Sequence, residues 1–199
     1  SQLAVSKEQG ILSWQALQSL PTELNKTGLQ VKVSGEVNKQ QYWLLDNQIY
    51  QGQVGYDLLV AMTIAGETAP LIVNFGWLKA PTNRSQLPTV VWPESTRFTA
   101  TVQLKQGNLQ GFTLADEIGA EQGWPKRIQG IDLAILSTQL AMPLQGFIGY
   151  RNEADGIATP HYQSVVMGPD KHYAYAVQWL FIGLACVVIA YFAMRRRVY

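Results

Sequence analysis

Two histidines, His161 and His172, and one thiol, Cys186, are the side chains of this chain best suited to ligate a metal or carry a proton near neutral pH. His161 follows Pro160 in a loop and is expected as a solvent-exposed side chain rather than a ligand. A nucleophilic hydrolase would need a strained Ser turn of the GxSxG kind, and none is present; nor is there an HExxH zinc helix, a P-loop or a GxGxxG turn. Asp116 and Glu117 are adjacent, and neighbours on a strand do not converge on one centre. Met62, Met142, Met167 and Met194 are scattered, and Cys186 lies in an apolar run, so a soft-ligand copper relay lacks its donors. These residues argue against an enzyme. A membrane-tethered hydrolase built around His161 is the least favoured alternative.

His172 heads a different pattern. From Tyr173 to Met194 no residue is charged. As a helix this stretch spans roughly 30 Å, the thickness of a bilayer core. Tyr173, Tyr175 and Trp179 at one end and Tyr191 near the other suit the two interfaces, and Arg195, Arg196 and Arg197 follow. The arginines belong on the cytoplasmic side, which places the preceding domain across the membrane. His172, Tyr175, Ala176, Trp179 and Gly183 share one helical face. One reading of that face is an interfacial aromatic belt with Gln178 snorkelling to the surface. The other is a docking face for a membrane helix or a flat apolar cofactor, with Gly183 allowing close approach.

The elements in front of the span are short and alternating. Residues 1–27 read as a helix through Trp14, Leu17 and Leu20, ended by Pro21, then a loop. Strands are expected at Leu29–Ser34, Tyr42–Leu45 (closed by a turn at Asp46-Asn47), Gln53–Ile64, Ala69–Leu78, Phe98–Leu104, Ile128–Leu136 and Gly146–Tyr150. Short helices fit Leu114–Gly119 and Ser137–Leu140. The stretch from Lys79 to Thr96, with Pro81, Pro88 and Pro93, is long enough to be a functional or docking loop, and the favoured reading is an irregular excursion packed on the domain. The reading is a mainly β fold: a small antiparallel barrel or sheet with short helices, spanning 28–168. A transmembrane helix and Arg-rich tail follow at 169–199. Charged residues make up only 15% of the chain, against about a quarter in soluble domains, and the net charge of +1 leaves no basic stripe for nucleic acid.

Four motifs occur in order from about Val31 to Arg195: Asn74-Phe75-Gly76-Trp77, Arg84 with Leu87-Pro88, Trp124-Pro125 with Arg127-Ile128, and His172-x-x-Tyr175-Ala176-x-Gln178-Trp179. In that order they resemble the Surf1/Shy1 family, membrane proteins that assist assembly of haem-copper cytochrome oxidases. The family pattern has Asn-Arg-Gly-Trp at the first motif, so Phe75 replaces an arginine whose anionic contact is lost or supplied elsewhere. Members also carry a membrane helix ahead of the domain, expected to be missing from this chain. The resemblance implies a role in maturing the catalytic subunit of an aa3-type oxidase, either by holding haem a or as a haem-free scaffold. It implies His172 as axial ligand to the haem iron, with Tyr175 and Trp179 lining the cofactor. Asn74, Gly76, Trp77, Arg84, Gln178 and Gly183 are the implied partner contacts, although Trp77 and Trp124 read more simply as core residues and Arg84 as a surface side chain. The expected location is a bacterial inner membrane with the domain in the periplasm; the mitochondrial inner membrane is the alternative.

Overall fold

The computed structural model describes residues 10–83, 85–107, 109, 123–162 and 178–186. The chain divides into two compact units, Ser1–Tyr162 and Gln163–Tyr199.

In the first unit, β1 (Leu12–Ser13) leads into α1 (Trp14–Gln18), and the strands are β2 (Gln30–Tyr50), β3 (Gln53–Ile64), β4 (Leu71–Lys79), β5 (Arg97–Gln106), β6 (Lys126–Ile128) and β7 (Phe147–Arg151). A second helix, α2 (Leu133–Leu140), lies between β6 and β7. The strands run in the order β2-β3-β4-β7-β5, and β5 pairs back onto β2, so the sheet closes into a barrel and these five strands lose their free edges.

Strict alternation builds the barrel wall. On β2, Val31, Val33 and Val37 are buried while Gln30, Lys32, Ser34 and Glu36 are exposed. Inward residues of successive strands, among them Leu44, Leu58, Val60, Met62, Val73, Val102 and Leu104, fill one core, joined by Trp14 and Leu17 of α1. Outward residues of the β2-β3-β4-β7 wall, Trp43, Leu59, Ile72 and Ile148, are buried too, because Ile128 of β6, Ile131 and Leu136 of α2 cover them. Residues on both faces of β3 and β4 are therefore apolar, which explains their nearly continuous hydrophobic sequence.

Several sequence expectations need correction. The sheet is mixed rather than antiparallel: β1–β2, β2–β6 and β4–β7 are parallel. The two strands expected between Leu29 and Leu45 are one, and Asp46-Asn47 is a bulge within it. Asn47 takes φ 58, the Asp46 carboxylate accepts from its own neighbour's N–H, and pairing resumes at Gln48. The expected strand Ile128–Leu136 ends at Ile128, and α2 begins at Leu133. Asp132 causes that switch, since its carboxylate accepts from the N–H groups of Ala134 (2.9 Å) and Ile135 (3.3 Å) as an N-cap. The N-terminal helix is short, Trp14–Gln18 only, after the two-residue strand β1. The expected helix Leu114–Gly119 lies outside the described residues.

The Lys79–Thr96 excursion does pack on the barrel. Val90 is buried in the inner core, with Leu87 and Trp92 against it. The Lys39 ammonium donates to the carbonyl oxygens of Pro93 and Glu94.

Asp132→Ala is expected to lower unfolding free energy by about 1 kcal/mol, the usual loss for an N-cap. Urea unfolding followed by circular dichroism checks this. A variant as stable as the parent would show that burial of Leu136 alone holds α2.

Candidate functional site

Asp57 is the one charged residue inside the apolar run of β3. Alternation points it outward, away from the barrel interior filled by Tyr56 and Leu58. It is nevertheless only 4% exposed, so its carboxylate must be satisfied by protein groups. Asn74 of β4 donates its amide to one oxygen at 2.7 Å. His161 Nε2 lies 2.6 Å from the other. Asn74 uses its own carbonyl to accept from the Gly76 N–H at 2.8 Å, so the amide is fixed at both ends.

Aromatic rings surround this pair. Tyr150 stands beside Asn74 in the β4–β7 register, and Tyr162 stacks on it with centroids 3.7 Å apart. The Tyr50 ring meets both His161 (5.7 Å) and Trp77 (5.5 Å), and Trp77 Nε1 donates to the Gln48 carbonyl at 3.1 Å. The hydrogen bond to Asp57 holds the His161 imidazole above its ordinary range, with burial opposing and the Asp57 charge assisting. Burial pushes the Tyr150 hydroxyl up, and the charges of Tyr162 and Asp57 add to this.

His161 reaches the site because the chain segment before it docks on β4. The Trp77 N–H donates to the Thr159 carbonyl at 2.7 Å, and the Thr159 N–H returns a bond to the Trp77 carbonyl at 2.9 Å. Gly76 makes that approach possible. Its φ is +119, and a Cβ there would sit 2.5 Å from the Thr159 carbonyl carbon and 2.7 Å from the Pro160 nitrogen.

His161 is therefore not the solvent-exposed loop residue expected: its side chain is 18% exposed and committed to Asp57. No local motif pointed to this, since the two residues are 104 apart in sequence. The available signal was Asp57 itself, because an acid within a buried strand demands a partner. Chemically the pair can hold or move one proton. Among the described residues no three of His, Cys, Asp and Glu gather as a metal site.

The structure brings Asn74, Gly76 and Trp77 together in this cluster, with Asn74 and Trp77 buried. Trp124 packs edge-on to the buried Trp43, with centroids 5.1 Å apart. Phe75 points into the barrel, and the guanidinium of Arg151 lies over its ring at 5.0 Å while pairing with Asp155. A buried cation therefore lies beside position 75. Arg84, His172 and Tyr175 lie outside the described residues.

In the second unit, residues 178–186 are helical, and all nine are exposed. Trp179 is 70% exposed, and a Cβ on Gly183 would meet nothing within 4 Å. Trp179 and Gly183 are four residues apart, hence on one face, while Gln178 begins the described helix. Among the described residues no helix is long and apolar enough to cross a membrane; the rest of the expected span, 173–177 and 187–194, lies outside them.

No curated protein matches the chain significantly. A family model does, described as the SURF1 family, over residues 4–184, which takes in the barrel, the Asp57–His161 site and the helix at 178–186 as far as Leu184. The chain belongs to the SURF1 family.

Proposed function

We propose that this protein is a non-enzymatic assembly factor for a haem-copper oxidase of the aa3 type, assisting haem a insertion into the catalytic subunit or stabilising that subunit before insertion. The SURF1 family is associated with cytochrome c oxidase assembly. The finer reading rests on the helix at 178–186. Trp179, Leu180, Phe181, Ile182 and Leu184 are between 44% and 70% exposed, an apolar surface that suits lipid or a membrane partner rather than water. In this reading the helix belongs to a transmembrane span that fixes the barrel on the periplasmic side of a bacterial inner membrane.

The residues present fit a flat apolar group. The open Trp179 and Gly183 face offers a plane for a macrocycle to lie against. His172, seven residues before Trp179 in the sequence, would supply the axial imidazole, with Tyr175 between them. Bound haem a would supply the iron and the conjugated ring destined for the oxidase. The chain's own residues would bind and orient it and keep water from its apolar face.

The test is an absorption spectrum of the full-length protein purified from cells that make haem a, with His172→Ala beside it. The expected result is a haem a spectrum in the parent and at least a tenfold loss of bound haem in the variant. A parent without haem that still co-purifies with the oxidase subunit would overturn the haem-holding reading and leave a scaffold.

A further inference from the structure

We propose that Asp57 and His161 form a proton-dependent latch that holds residues 159–162, from which the chain passes into its second unit, on the outer wall of the barrel. This goes beyond the assembly role and depends on neither haem nor an oxidase.

The segment is held at few points, each identifiable. Just before it, Ile157 and Ala158 are buried in the inner core. Thr159 exchanges two backbone bonds with Trp77, an isolated bridge rather than a strand. Beyond Pro160, which has no N–H to donate, attachment passes to side chains: His161 on Asp57 and Tyr162 stacked on Tyr150. Among the described residues, the last holds before the second unit are thus an imidazole–carboxylate bond, the Tyr50 ring against His161 and the Tyr150–Tyr162 stack.

That bond depends on a proton. With His161 protonated, a 2.6 Å charge-assisted bond neutralises a carboxylate that is 4% exposed. With His161 neutral, Asp57 keeps a buried charge supported only by neutral donors, including the Asn74 amide, and the bond weakens. Asp57 of β3 is the charged group facing the imidazole. Tyr50 of β2 packs its ring on it, and the stacked pair Tyr150 of β7 and Tyr162 completes the surroundings, both hydroxyls raised by burial.

The direction follows. In the folded chain the imidazole titrates above its unfolded value of about 6.5. The latch is therefore fully engaged below that value and is lost as pH rises through the raised one. Acidic surroundings close it; alkaline surroundings release it.

Hydrogen exchange of the full chain, corrected for the intrinsic pH dependence of exchange, tests this. Protection of peptides covering 157–162 and Trp77 is expected to fall by up to about tenfold per pH unit as pH rises from about 6.5 through the raised value. Peptides covering the central Val60–Val73 pair should hold their protection. In His161→Gln, which cannot ionise, the fall should vanish. A flat profile in the parent, or the same fall in His161→Gln, overturns the latch. If His161→Gln does not fold, nuclear magnetic resonance of the His161 ring in the parent decides instead. Its titration midpoint must coincide with the loss of protection, and separated midpoints overturn the proposal.

Discussion

Gly76→Ala is expected to cost the barrel about 4 kcal/mol of unfolding free energy, a large share of a small domain's stability. Two terms add. Position 76 has φ +119, where an L side chain is strained by about 1–3 kcal/mol. The new methyl would also overlap Thr159 and Pro160, and the overlapped atoms are backbone rather than a rotatable side-chain end. Overpacking of that kind costs about 1–3 kcal/mol more. The segment can yield only by breaking both Trp77–Thr159 bonds and drawing His161 away from Asp57. Urea unfolding measures the loss, and exchange protection at Thr159 reports whether the segment has lifted. A loss below about 1 kcal/mol would mean that the segment is not packed on β4 as described.

Phe75→Arg, which restores the residue of the family pattern, is expected to be more damaging here, at about 5 kcal/mol. Phe75 is 1% exposed and meets Phe98 edge-on at 5.5 Å and Trp92 at 6.2 Å, so losing the ring alone costs about 3–5 kcal/mol. The introduced guanidinium would also lie beside Arg151, which is 6% exposed and has one acidic partner, Asp155, among the described contacts. Two buried cations facing one carboxylate leave one charge uncompensated. The double variant Phe75→Arg/Arg151→Leu should therefore recover about 2 kcal/mol relative to Phe75→Arg, because Asp155 becomes available to the introduced cation. Thermal or urea unfolding of the four members of the cycle gives the coupling. Additive losses would show that the position of the barrel cation is not what distinguishes this chain from the family pattern.

The barrel was legible where alternation was clean. Val31, Val33 and Val37 on β2 and Ala100, Val102 and Leu104 on β5 declare an inner face by period two, and the structure buries them all. The misreadings share a cause: local signals serve more than one geometry. Asp46-Asn47 has turn chemistry, and the chain uses it for a bulge that bends β2 without reversing it. Ile128–Leu136 is apolar whether it is a strand, a helix or both, and only Asp132 marks the change. Parallel pairing of β4 with β7 joins segments far apart in sequence, and nothing in either segment names its neighbour. The site was half legible. Asn74, Gly76 and Trp77 stood out as a motif, whereas His161 joins them through a docking event that only the fold creates.

Strand β2 pairs with β1, β3, β5 and β6, so it is the member of the sheet on which closure depends. Its partners emerge from the ribosome at very different times. The β2–β3–β4 meander can form early from neighbouring sequence. The edge of β2 at Gln30–Glu36 must wait for Arg97–Gln103, and the β4 edge at Ile72–Asn74 must wait for Ile148–Tyr150. Closure is a late, non-local event, of the sort that makes β-rich domains fold in milliseconds to seconds. Through that interval a nascent chain presents two unpaired edges that carry Val31, Val33, Ile72 and Val73 and invite pairing with other chains. Growth temperature and chaperone supply should therefore limit the yield of this protein more than the stability of its finished barrel does.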